Sequence, residues 1–402
     1  MTNSYNLSAL QEEFYQELNH ILDFWSTNTV DENNGGFIGQ INHKGEVNAE
    51  AAKGVVLNAR LLWTFSAAGR MLDDPKIKQL ADRAFAYLKT YFWDNEQGGL
   101  FWALDYQGNP LNTRKQAYAQ GFGIYAFSEY YLATGNKESL KLALRLFELL
   151  EQHFADAHYG GYIEALDRNW NPMEDMRLSE RDANYPKSMN THLHILEPYT
   201  NLYRMWPDAI LRQRIQQLLE IFSDKIVDSK TGHLNLFFEM DWTCKSDIVS
   251  FGHDIEGAWL LHEAAVEIEY RSLKEIEKIA RRLVDVTLKE GIGSDGSVYN
   301  ELVGQHLDTT RHWWMQAEAM VGLMDAFQLT GEKNYLDSMQ KVWDYIKKHV
   351  IDYKKGEWFG HVDQDGKPLD TEDKAGFWKC PYHNSRAMME LIIRIDKPRQ
   401  EK

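Results

Sequence analysis

The residues best equipped for chemistry are histidines: His192 and His194 in one segment, His253 in a second and His383 in a third. Imidazole titrates at about 6.5, so it gives and takes protons near neutrality. Several such rings around one ligand suit a reaction whose difficulty is proton transfer. Asn190 and His194 are four residues apart, while His253–Glu256 and His383–Arg386 are three apart, so each pair shares one helix face. A lone histidine on a helix is ordinarily a satisfied core or cap residue. Three segments aiming one at the same opening shift that balance toward function. Arg60, Tyr118, Gln120, Trp259, Trp313, Trp314 and Glu318 also fall in the first turns of helical segments. Flat aromatic faces suit the C–H faces of a pyranose ring. Most of the 13 tryptophans read as hairpin or core packing, with Trp313, Trp314 and Trp378 the better candidates for a sugar wall.

Other chemistries fit less well. His192-Leu193-His194 and His253-Asp254-Ile255-Glu256 each offer two metal ligands, but residues two apart on a helix diverge, and neither spacing matches HExxH or a Cys/His finger. No metal and no cofactor are expected. Nothing resembles a phosphate loop. Cys380, between Lys379 and Pro381-Tyr382, reads as packing rather than as a nucleophile.

What must position these residues is a repeat. Gly35, Gly98, Gly160, Gly232, Gly296 and Gly356 each sit in a turn among aromatic and β-prone residues, as in Gly98-Gly99-Leu100-Phe101-Trp102, at intervals of 63, 62, 72, 64 and 60 residues. A period this long is one supersecondary unit repeated, with room for two helices and a short hairpin. Outer-type helices are predicted over roughly 8–27, 76–93, 137–155, 208–226, 272–289 and 334–350, amphipathic as in Leu273-Lys274-Glu275-Ile276-Glu277-Lys278-Ile279. Inner-type helices, apolar on most of their circumference, are predicted over roughly 52–70, 116–133, 186–206, 252–270, 312–330 and 383–395. Gly135 and Gly331 read as C-terminal caps. Six of each make an all-α fold, an (α/α)6 barrel with short β-hairpin loops at one end. Every inner helix then points its N-terminus at one mouth, where the dipoles favour negative charge.

The repeat runs the length of the 402 residues with no linker, so residues 1–402 are read as a single domain. A net charge of −16 argues against nucleic acid and anionic membranes as partners. Met1-Thr2-Asn3-Ser4-Tyr5 lacks the basic start of a signal peptide, and no stretch approaches a membrane span. Two cysteines, Cys244 and Cys380, are too few for a disulfide framework, and a cytoplasmic setting is the expectation. The expected partner is a small sugar, with the chain a monomer or weak homodimer.

Six segments in order at the repeat period resemble the N-acylglucosamine 2-epimerase superfamily, and within it the cellobiose 2-epimerase family. They are Leu57-Asn58-Ala59-Arg60, Tyr118-Ala119-Gln120, Lys187 to His194, Phe251 to Trp259, Trp313 to Glu318 and Trp378 to Asn384. The resemblance implies the same (α/α)6 barrel. It implies cofactor-free inversion at C2 of the reducing-end sugar of β-1,4-linked disaccharides such as cellobiose or lactose, through a cis-enediolate. His253 and His383 match the family's acid/base pair, and His194, rather than His192, its third histidine. Arg60, Asn190 and Glu256 match polar groups that hold the reacting sugar. Trp313, Trp314 and Trp378 match its aromatic walls and Glu318 a further polar contact. Tyr118, Trp259 and Arg386 join these as substrate-site candidates, and Asp182 as a contact for the distal sugar. Lys374-Ala375-Gly376-Phe377-Trp378 is less glycine-rich than the family pattern, which bears on the loop before Trp378. The same residues leave N-acylglucosamine 2-epimerase, mannose 2-epimerase and aldose–ketose isomerase as alternatives. A hydrolase using Glu256 and Glu318 leaves the histidines unexplained, and a sugar-binding protein leaves them without work.

Overall fold

The computed structural model describes residues 6–396, so Met1–Tyr5, read above as lacking a leader's basic start, lie outside it. Among the described residues there are twelve α-helices. The odd-numbered ones are α1 (Leu7–Asn28), α3 (Pro75–Tyr87), α5 (Lys137–His153), α7 (Ala209–Ile221), α9 (Leu273–Val286) and α11 (Lys333–Tyr345). The even-numbered ones are α2 (Val55–Leu72), α4 (Ala117–Thr134), α6 (Met189–Tyr203), α8 (Phe251–Glu267), α10 (Trp313–Thr330) and α12 (Tyr382–Asp396). Each even helix packs against the next, and α12 returns to α2, so the inner ring is closed. Each odd helix lies on an even one, with α1 against α12. This is the expected (α/α)6 barrel.

Local chemistry explains the boundaries. Asp74, Asn136 and Asp208 accept the first free N–H groups of α3, α5 and α7, which satisfies donors that the helix itself leaves orphaned. Gly135 and Gly331 end α4 and α10 at φ 71° and 79°, the left-handed region that glycine enters without a Cβ penalty. Four outer helices run on through one π-helical turn, at Leu88–Phe92, Phe222–Ile226, Thr287–Gly291 and Ile346–Val350. The expected ends at 226, 289 and 350 thus fall in π turns rather than in α-helix, and the one at 93 just past a π turn. No described helix is long and apolar enough to cross a membrane.

The loops differ from six separate hairpins. All six glycine turns are bridged, from Val30–Phe37 to Ile351–Trp358. The residues just before an inner helix, however, pair with the following repeat: Lys53–Gly54 with Ala103–Leu104, Lys115–Gln116 with Ala165–Leu166, Lys187–Ser188 with Phe237–Phe238, Ile248–Ser250 with Glu301–Val303, and Arg311–His312 with His361–Val362. A bridge from Ile41 to Ala375 closes the circuit. The loops therefore form a continuous collar that locks neighbouring repeats together. Buried lysines secure it. Lys53, Lys115, Lys187 and Lys374 each reach the aspartate that opens a turn (Asp31, Asp94, Asp156, Asp352) at 2.6–3.1 Å. Each also donates to the carbonyl of that turn's glycine.

Candidate active site

The inner helices carry one position that grips the collar. Gln120 bonds both backbone groups of Leu100, and Gln316 both of Val298. Asp254 accepts the N–H of Leu234 at 2.8 Å. His192 accepts the N–H of Tyr162 at Nε2, with Nδ1 2.6 Å from the Ser188 carbonyl. His192 is therefore spent on structure; burial lowers its pKa to about 4. Asn58 and Asn384 hold the same place in α2 and α12, bonding Gly54 and Glu357. Two residues further along each helix lie Arg60, Phe122, His194, Glu256, Glu318 and Arg386, all buried. One helical position, read around six repeats, supplies the floor of the site.

That floor is an ionic network. Arg386 donates from Nη2 to Glu256 at 2.7 Å and to Glu318 at 2.6 Å, and from Nη1 to Glu197 and the Tyr382 hydroxyl. Tyr382 also donates to Glu197. The Trp259 indole donates to Glu318 at 3.0 Å while its ring lies against the Arg386 guanidinium. Arg60 bonds the Tyr118 hydroxyl at 2.7 Å and lies over the rings of Phe122 and Tyr382. Burial would raise Glu197, but Arg386 and His194 hold it down at about 2. Glu256 is pushed well above the usual range by burial and by Glu318, and its Oε2 has no hydrogen-bond partner. Glu318 receives three donors, from Arg386, Trp259 and His383. Burial raises Glu318 too, against the pull of Arg386, and Glu256 is the member of this closely placed pair pushed further. Glu197 and Glu318 both accept from Arg386, while Arg60 bonds Tyr118.

Three histidines rest on this floor, each held through Nδ1. His194 is 3.0 Å from Glu197, His383 2.6 Å from Glu318, and His253 2.7 Å from the Ser250 hydroxyl. Both His253 and His383 lie against Trp314, with ring centroids 4.8 and 5.6 Å from it. Tyr118 meets the His194 ring edge-on at 5.1 Å. Burial depresses all three pKa values, that of His253 to about 3 with help from His194. Burial thus favours the uncharged ring in all three, each with Nδ1 engaged; Nε2 of His194 lies 4.0 Å from Glu256. Glu256, Glu318 and His383 also bring three potential metal-ligand atoms within 4.8 Å of one another. Arg386 is already bonded to both carboxylates, so a cation would have to displace a guanidinium.

A cavity of about 460 Å³ opens beside His253. Asn190, Ser250 and His253 line it together with Arg181, Asp182, Tyr185, His312, His361 and Glu372. Trp378 is 37% exposed and leans on Trp102 and Tyr118. Trp313 packs on His383 and lies under the Lys379 ammonium at 4.2 Å. The predicted residues lie at one end of the barrel, but of them only Asn190, His253 and Asp182 line this cavity; His194, His383, Arg60, Tyr118, Glu256, Glu318, Trp313, Trp314 and Trp378 do not. Trp259 and Arg386 are each 1% exposed and lie beneath the histidines; they buttress the carboxylates and do not face the cavity. Sequence reasoning also passed over Glu197, Tyr382 and Ser250. The first two had a signal: Glu197 stands three residues after His194, and Tyr382 four before Arg386, one turn along the same face.

A closed (α/α)6 barrel with a histidine-lined mouth defines the class, and comparison with known proteins defines the family. The model of the N-acylglucosamine 2-epimerase (GlcNAc 2-epimerase) family matches residues 36–387. The chain belongs to that family and is a carbohydrate epimerase, an isomerase. Among its relatives, the cellobiose 2-epimerase of Bacteroides fragilis is 48% identical over 95% of this chain and 98% of its own length. The cellobiose 2-epimerase of Dictyoglomus turgidum is 39% identical over 97% and 100%. The solved structure of cellobiose 2-epimerase from Bacillus thermoamylovorans superposes with a TM-score of 0.93 at 39% identity, covering 96% of this chain and all of that one.

Proposed function

We propose that this chain inverts C2 of the reducing-end glucose of β-1,4-linked disaccharides, cellobiose first among them and lactose also, without a cofactor. The observation that carries the reading is that His253 and His383, from different helices, flank one indole, each backed at Nδ1 and bare at Nε2. The sugar ring must first open, so that the C2 proton becomes acidic beside the C1 carbonyl; His194 assists this step. One imidazole takes that proton, leaving a cis-enediolate and an imidazolium. The other must enter the step as an imidazolium; it gives its proton to the opposite face of C2 and is left neutral, so that the pair carries one charge before and after. The enediolate's negative charge falls near Arg60 and the N-termini of the inner helices, preorganised donors of the kind that dominate such catalysis. Asn190 and Asp182 border the cavity that would take the second sugar.

The test is incubation with cellobiose, lactose, mannose and N-acetylglucosamine in heavy water, with products read by NMR. Glucosyl-mannose labelled at C2 is the expected product from cellobiose. Deuterium entering only a monosaccharide, with cellobiose untouched, would replace the proposal by a monosaccharide epimerase. Label entering at C1 with ketose as the sole product would replace it by an aldose–ketose isomerase.

A further inference from the structure

Ser188 and Ser250 occupy the same place in consecutive repeats, the residue just before an inner helix. Ser188 does what an N-terminal serine usually does: its hydroxyl accepts the N–H of Thr191 at 3.1 Å, an interaction worth about 1 kcal/mol in helix stability. Ser250 makes no such bond with α8. Its hydroxyl instead lies 2.7 Å from Nδ1 of His253, on the ring that borders the cavity. A helix cap has been given up to hold an imidazole.

The chemistry of the three ring partners also differs. Glu197 and Glu318 bear on His194 and His383, and an ionised carboxylate only accepts. A hydroxyl both accepts and donates. The remaining groups near the His253 ring are the Trp314 indole, His194 and Glu318, the last two felt only at a distance. Among the described residues no carboxylate bonds to it.

We infer that Ser250 is the positioning residue for His253, holding Nδ1 so that Nε2 keeps its aim at the substrate in both protonation states. With His253 neutral, Nδ1–H donates to Oγ and the Nε2 lone pair faces the cavity. When Nε2 takes the C2 proton, the Nδ1–H bond to Oγ is unchanged, so the ring need not turn before it gives a proton back. The neutral partner leaves this imidazolium a stronger acid than one backed by a carboxylate. The pair is therefore backed unequally, His383 by a carboxylate and His253 by a hydroxyl. This inference rests on the proposed role of His253.

The experiment compares Ser250→Ala, Ser250→Thr and His253→Ala in the intact enzyme, with cellobiose as substrate and ¹⁵N-histidine labelling as a second readout. Ser250→Ala is expected to lose about ten- to a hundredfold in kcat with KM nearly unchanged. Its His253 ring nitrogens should shift toward a tautomer mixture. Ser250→Thr, which keeps the hydroxyl, should recover most of the rate and the parental ¹⁵N pattern. Parental kcat and ¹⁵N shifts in Ser250→Ala, with His253→Ala inactive, would overturn the assignment of Ser250 alone. Full activity in His253→Ala would overturn the reading of the site on which it rests. Equal loss in the Thr and Ala variants, with unchanged ¹⁵N shifts, would make Ser250 merely structural.

Discussion

At the scale of single residues, the site separates groups that face the cavity from groups that hold them, and the two respond differently to mutation. His253 borders the cavity, and His383 meets the same indole from the other helix. Replacing either by alanine should cost about 10²–10⁴-fold in kcat, the ordinary worth of a general acid or base, with the urea midpoint little moved. Near-parental turnover in either variant would remove it from the acid/base pair. Arg386 is the opposite case. It is 1% exposed and bonded to Glu197, Glu256 and Glu318, so Arg386→Met leaves an uncompensated buried carboxylate cluster. About 3–5 kcal/mol of stability should go, read from denaturant unfolding, and activity with it. A variant as stable as the parent would mean that the cluster is neutralised by its own protons.

Buried titratable groups also set the pH range of stability. His192 and His253 have folded pKa values of about 4 and about 3, below the unfolded value near 6.5. Between those limits the unfolded chain binds more protons, so stability is lost as pH falls below about 6.5. Glu164 runs the other way: burial raises it to about 8, so its contribution is intact below its unfolded pKa and lost as pH rises toward 8. The urea midpoint should therefore peak near neutrality. His192→Gln should flatten its acid side, provided that the amide keeps the bonds to Tyr162 and Ser188. An unchanged acid limb in a folded His192→Gln protein would exclude His192 as its source.

At the scale of elements, helices were legible because burial imposes a period on the sequence: α9 alternates charge and apolar residues, while the first 14 residues of α4 are all buried. The collar was not legible. Strands of two or three residues carry too little alternation to reveal a partner, and here the partner lies in the next repeat. The π turns leave no signature either, since their residues continue the helical pattern. The interval of 72, the longest of the five, holds extra chain between Gly160 and Gly232 whose role the sequence did not show. Its loop residues Met176, Arg177, Leu178, Arg181, Asp182 and Tyr185 form a cavity wall. Close helix contacts were likewise hidden in ordinary-looking glycines. A Cβ on Gly121 would sit 2.5 Å from the His194 carbonyl oxygen, whereas the nearest atoms to one on Gly252 belong to the side chains of Met315 and Trp314. Backbone cannot yield cheaply, so Gly121→Ala should lose about 1–3 kcal/mol as α6 is pushed off α4. Gly252→Ala should instead lose turnover at nearly full stability, because the displaced ring is the one that both His253 and His383 touch. The reverse ranking would show that α6 moves freely and Trp314 does not matter.

At the scale of the whole molecule, a ring differs from an open stack of repeats in having a seam. Here α1 meets the last repeat, and carboxylates fasten it, Glu357 with the most partners. Glu357 accepts the Trp25 indole N–H from α1, Lys379 at 2.7 Å, Asn384 of α12 at 2.7 Å and the Trp358 backbone at 2.8 Å. It is fully buried at φ 63°, a conformation that a non-glycine residue holds only where its surroundings enforce it. Nearby, Trp358 and Trp343 donate to Glu17 and Glu13 of α1 at 2.6 and 2.7 Å. Glu357→Ala strands Lys379 without its anion, at about 3–5 kcal/mol, and frees the ammonium that lies over Trp313 at the site. An open solenoid with this lesion would fray at one end and unfold in stages. In a closed ring each repeat depends on both neighbours, so Glu357→Ala should lower the denaturant midpoint while keeping a single transition of parental slope. Activity should fall with it, through Trp313. Two separated transitions, with the N-terminal helices melting first, would show that the seam is not part of one cooperative unit.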